Sequence, residues 1–136
     1  MIAVLIFLFS LLALLQFFIF YCRALIAESR AQKISGETLG LCGYPALALA
    51  GDQFQRLLEL IDLCAETGED GYQVLAICAY YRLLEFVRHS LQWAIPFAAS
   101  WIDKERDGCA YAAALFLDRR IARNRMMLAQ QSIRSL

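Results

Sequence analysis

The sequence predicts an all-α, membrane-anchored protein: a single N-terminal transmembrane helix followed by a small bundle domain of three to four helices. Three observations carry this. The first 21 residues hold no charged side chain, the body repeats apolar positions at helical spacing, and no stretch alternates with the period of a strand. A chain of 136 residues has room for one domain once an anchor is set aside. Residues 1–22 read as the transmembrane anchor, 23–34 as its helical extension, 35–50 as a Gly-rich linker and 51–136 as the bundle domain.

The anchor runs from Ile2 through Phe7, Leu12 and Phe17 to Tyr21, with only Ser10 and Gln16 as polar interruptions. A helix of about twenty residues spans roughly 30 Å, the thickness of a bilayer's hydrocarbon core. A soluble surface helix would need a polar face, and this one has none. Phe17, Phe18, Phe20 and Tyr21 gather at one end, as aromatic side chains do at the headgroup level. A cleaved signal peptide fits less well, because it would want a basic n-region, a shorter apolar core and a small-residue cleavage site. Arg23, Arg30 and Lys33 follow the span, so the positive-inside tendency puts the helical domain in the cytoplasm.

Arg23 to Lys33 has good helix formers and no Gly or Pro, so the anchor helix is expected to continue out of the bilayer. It should end in Ser35 to Tyr44, where three glycines precede Pro45. Asp52 then offers an N-cap to a helix of about fifteen residues that stops at Gly68. Its apolar face carries Phe54, Leu57, Leu58 and Ile61, and its outer face Glu59, Asp62 and Glu66. Those three carboxylates suit a solvated stripe better than a metal site.

Tyr72 to Trp93 has no breaker and is expected to be the central helix of the domain, with Arg82, Glu85, Arg88, His89 and Gln92 in one polar sector. Those charges keep it from being a second span. Ala94 to Ile102 reads as a buried connector or a short helix starting near Pro96, and Asp103 as a cap for the last helix. That final helix should run to about Gln131, with Gly108 as a weak point.

Charge is balanced overall at 13 basic and 13 acidic residues, so net charge points to no anionic or cationic partner. Its distribution is uneven. Seven acids lie between Glu37 and Asp70, whereas Arg119, Arg120, Arg123 and Arg125 follow Asp118 without a further acid. The acidic middle and basic end can pair, within a molecule or between two. The four arginines form a possible basic interaction patch, with a solvated helix end as the plain alternative.

No motif for catalysis, nucleotide binding or a cofactor is found. His89 is the single histidine, and Glu85 lies one turn before it, but the spacing is Glu-x-x-x-His and occurs once. A metal centre would lack further donors. The five cysteines show no CxxC or framework spacing and read as reduced core residues. Cys22 at the membrane boundary could in principle be acylated, though an apolar helix-end residue is its simpler role. Gly36, Gly40 and Gly43 belong to no phosphate loop.

The expected function is therefore non-enzymatic: a small subunit, scaffold or assembly factor of a membrane complex, in contact with membrane lipid and with another membrane protein or a second copy of itself. No small-molecule substrate or cofactor is implied. One competing reading is a membrane-tethered binder of anionic lipid or nucleic acid through the Arg-rich end, nucleic acid being the less favoured ligand. Another is a pilus- or secretion-type subunit, which would want a charged leader and fewer free thiols.

Overall fold

The computed structural model describes residues 1–34, 53–64, 70–91 and 96–135. Within them the chain forms four helices and no strand: α1 (Ile2–Ala31), α2 (Phe54–Leu63), α3 (Gly71–Leu91) and α4 (Pro96–Arg134). The linker expected at 35–50, the Asp52 cap, Cys42, Glu66 and Gln92 lie outside the described residues.

Helix α1 has two halves with different surroundings. From Ile2 to Phe17 every side chain is exposed, and the helix to which this half belongs is long and apolar enough to cross a membrane. From Phe18 onward one side turns inward, and Cys22, Ile26 and Ser29 are buried at spacings of four and three residues. The buried Ser29 hydroxyl donates to the Leu25 carbonyl at 2.7 Å, so its polarity is satisfied within its own helix. The extension is thus part of the bundle's packing and carries one of its faces.

Helix α2 buries Phe54, Leu57 and Ile61 and exposes Glu59 and Asp62. Helix α3 buries Ile77, Tyr80, Tyr81 and Leu84 along one stripe, with the Phe54 ring stacked on Tyr81 at 4.2 Å between centroids. The expectation that this helix forms the centre is corrected: Tyr72, Leu75 and Phe86 are exposed, and the central element is α4, which packs against each of the other three.

The reason is side-chain size. Between Gly108 and Leu117, every residue of α4 except Tyr111 is buried, and Gly108, Ala110, Ala112, Ala113 and Ala114 let three helices approach closely. Two further expectations are corrected here. Gly108 does not weaken the helix, because a Cβ there would lie 2.7 Å from Ile26 Cγ2 on α1, so the glycine is the contact point. Asp103 caps nothing; it lies inside a continuous helix that opens at Pro96, whose fixed φ and missing N–H suit a first helical position.

The helix directions follow from the contacts. Arg23 meets Glu105 and Trp101, Ile26 meets Gly108, and Gln32 meets Tyr111, so α1 and α4 run in the same sense. Helix α3 opposes both, with Tyr80 beside Glu105 and Arg88 beside Asp103. The C-terminal end of α3 and the N-terminal end of α4 therefore face the same way as the apolar half of α1. Beyond Asn124, α4 leaves the bundle as a fully exposed helix.

Candidate functional site

The most elaborate polar arrangement lies where α1, α3 and α4 meet. Tyr80 and Tyr81 are neighbours on α3, and each reaches a different charged residue of α4. Tyr80 donates its hydroxyl to Glu105 Oε2 at 3.1 Å, while Arg23 of α1 approaches Glu105 Oε1 at 3.5 Å. Burial and the adjacent Glu105 carboxylate push the Tyr80 phenol well above the usual range.

Arg106 is the buried cation of the second half. Its Nη2 donates to the Tyr81 hydroxyl at 2.9 Å and to Glu85 Oε1 at 2.8 Å, and Asp103 approaches from the preceding turn at 3.7 Å. Arg88 extends the chain of charges, 3.9 Å from Asp103. A buried arginine needs such partners, because its desolvation is costly unless donors and charge are both answered. The network therefore fixes how α3 sits on α4. Within it the carboxylates of Glu85, Asp103 and Glu105 are set against the guanidinium groups of Arg23, Arg88 and Arg106.

The expected polar face of α3 is divided by this arrangement. Arg82, Glu85, Arg88 and His89 are all exposed, but Glu85 and Arg88 lean to α4 while Arg82 borders a shallow groove with Gln55 and Glu59 of α2. Arg106, Tyr80, Tyr81 and Glu105 were not singled out by the sequence reading. The available signal was a charged pair, Glu105 and Arg106, just ahead of the long apolar run of α4.

The basic end is corrected as a surface patch. Arg120 is only 3% exposed and donates to the Ile61 carbonyl at 3.0 Å, beside the Cys64 N–H that closes the last turn of α2. Arg123 pairs with the buried Asp70 at 2.8 Å. Arg119 donates to Gln32 Oε1 at 2.9 Å and stands over the Phe116 ring. Arg125 is exposed. Three of the four arginines thus tie α4 to α1, α2 and the start of α3, and at Asp70 the acidic middle meets the basic end within one molecule.

The described cysteines, Cys22, Cys64, Cys78 and Cys109, are free thiols. Burial pushes the Cys109 thiol up to about 12 and raises Cys78 as well, so neither is a ready nucleophile at neutral pH. Among the described residues no group of three or more His, Cys, Asp and Glu could hold a metal ion.

The residues named for the anchor tell a different story. Ile2, Phe7, Leu12 and Phe17 are exposed, and Tyr21 is the last exposed aromatic before the first charge. Among the described residues, the first half of α1 therefore presents a continuous run of exposed apolar side chains. Comparison with protein-family models, curated proteins and solved structures finds no match to this chain.

Proposed function

We propose that this is a non-enzymatic, single-pass membrane protein whose helical domain lies in the cytoplasm and serves as a small subunit, scaffold or assembly factor of a membrane complex. The observation that carries the reading is the exposed, charge-free half of α1, Ile2–Phe17, continuous with a helix end packed into the bundle. Each exposed apolar side chain of that length is worth about 1.5–3 kcal/mol when covered, which makes lipid the natural cover. Arg23, Arg30 and Lys33 just past it support the cytoplasmic side.

Contact in place of catalysis is supported by the polar network, whose groups are consumed in holding helices together. It is supported also by the free end of α4, where Met126, Met127, Leu128 and Ile133 are exposed. Binding of anionic lipid or nucleic acid through the basic end loses weight, since Arg119, Arg120 and Arg123 are engaged inside the molecule.

The test is purification of the full chain in gentle detergent through a C-terminal tag, with mass spectrometry of whatever accompanies it in stoichiometric amount. A defined membrane-protein companion supports the subunit reading. A preparation of this chain alone, monodisperse and monomeric, would remove it.

A further inference from the structure

We propose that the α3–α4 tip is a second membrane contact: the first turns of α4, with Phe97 and Trp101 exposed, lie in the headgroup layer of the bilayer that α1 crosses. The inference rests on the reading of α1 as a membrane span.

Three observations meet at this tip. The first is height along α1. Arg23 is the first charged residue after the apolar span, and its guanidinium lies 6.0 Å from the centre of the Trp101 ring. Trp101 therefore stands at the level where the chain leaves the hydrocarbon. Since α4 runs in the same sense as α1, Phe97 lies one turn, about 6 Å, nearer the bilayer.

The second is exposure. Phe97 is 85% exposed and Trp101 42% exposed, and together with Leu91 at the end of α3 they form an apolar edge on the membrane-facing end of the bundle. Of the two expectations for this segment, a helix starting near Pro96 is what the described residues show, and its first turns are exposed where a buried connector was the alternative. Exposed aromatic side chains beside a span are the kind that concentrate at the headgroup level of a bilayer.

The third is charge. From Leu91 to Ile102 the sequence contains no charged residue, whereas Arg88 lies three residues before this run and Asp103 and Lys104 directly after it. Arg23, Arg88 and Asp103 thus set charge at and just above the level of Trp101, with Phe97 below it. An apolar tip below such charges matches the polarity gradient of a lipid interface. A water-facing helical hairpin would have no use for it. The consequence is orientational: one helix fixes the domain to the membrane, and the tip would stop the domain from rotating or tilting freely about that helix.

The chain has two tryptophans, so Trp93→Phe leaves Trp101 as the sole emitter. The full-length variant is reconstituted in phosphatidylcholine vesicles, with and without phosphatidylcholine brominated near the headgroup end of its acyl chains. The brominated lipid should lower Trp101 emission by about twofold or more, with little quenching by aqueous acrylamide. Phe97→Asp should reverse that pattern. Should Trp93→Phe not fold, the difference between wild type and Trp101→Phe gives the same quantity. Resistance to alkaline carbonate extraction reports separately on α1. A chain that resists extraction while Trp101 is open to acrylamide and untouched by brominated lipid overturns the tip and leaves the anchor. A Trp101 shielded from both quenchers also overturns it, in favour of a protein neighbour. Loss of the chain to carbonate overturns the anchor and the tip together.

Discussion

Arg123 Nη2 sits 2.8 Å from Asp70 Oδ2, joining the residue just before α3 to the outer third of α4. The Asp70 carboxylate is the more buried partner, with its side chain 11% exposed against 34% for the arginine. Its backbone carbonyl meanwhile accepts the Val74 N–H at 3.0 Å, so Asp70 starts α3 and docks it at once. Removing the arginine leaves a largely buried carboxylate unanswered. Arg123→Ala is expected to destabilise the detergent-solubilised chain by about 1–2 kcal/mol, with Asp70→Asn milder. Thermal melts of both variants and the double variant check this; additive losses would mean that the pair does not couple.

At Gly108 the two helices α1 and α4 are in close contact, with Ile26 Cγ2 2.7 Å from the position of an added Cβ. In an isolated helix Gly108→Ala would gain about 0.8–1 kcal/mol of propensity. Here the obstacle is a methyl on a β-branched carbon, which cannot swing aside as a flexible chain end would. Overpacking costs about 1–3 kcal/mol, so a net loss of about 1 kcal/mol is expected. Combining Gly108→Ala with Ile26→Ala should lose less than the two single changes added together. A melting temperature raised by Gly108→Ala alone would show that the helices can part freely.

The same residue explains what sequence reasoning could and could not see. Anchor and helix classes were readable because they depend on local pattern: a charge-free run for α1, and a 3.6-residue apolar stripe for α2 and α3. Gly108 looked like a weak point because propensity is local, yet its role is set by Ile26, more than eighty positions away in the chain. The basic end was misjudged for the same reason. Whether Arg120 meets solvent or the Ile61 carbonyl depends on how closely the alanines of α4 admit α2, which no spacing rule encodes. Pro96 was legible as a helix start, but nothing in the segment before Asp103 distinguished a short helix from the first turns of a long one.

Cys109 is fully buried, and its thiol is pushed from 9.0 to about 12, chiefly by desolvation. Because this pKa is raised in the fold, the native state keeps its proton at a pH where the unfolded chain has already lost it, and that difference favours unfolding. Below pH 9 both states hold the proton, and the contribution is fully present. As pH climbs from about 9 toward 12 the unfolded state deprotonates first, and stability falls by up to about 1.4 kcal/mol per pH unit for this one group. Urea unfolding between those limits should show a shallower decline in Cys109→Ala than in wild type, after allowing for the cavity. Identical slopes would mean that other groups, such as Tyr80, carry the alkaline loss.

Arg119 and Arg120 are adjacent in sequence and should behave oppositely. Arg119 is half-buried, bonded to the exposed Gln32 side chain, and water can replace that bond with little loss. Arg119→Ala is expected to change stability by no more than about 0.5 kcal/mol. Arg120 is buried and answers the Ile61 carbonyl at the end of α2, where the helix dipole also favours a cation. Arg120→Ala removes one of that carbonyl's two donors, the Cys64 N–H at 3.1 Å remaining, and leaves a cavity where the aliphatic stem lay, for a loss of about 1–3 kcal/mol. Lysine should recover only part, since its ammonium cannot reproduce the planar fork. Circular-dichroism melts of the three variants decide the matter. The result bears on interaction studies too, because a charge reversal at Arg119, Arg120 and Arg123 together would weaken any association by unfolding the end of α2 and releasing Asp70, and would say nothing about a basic docking surface.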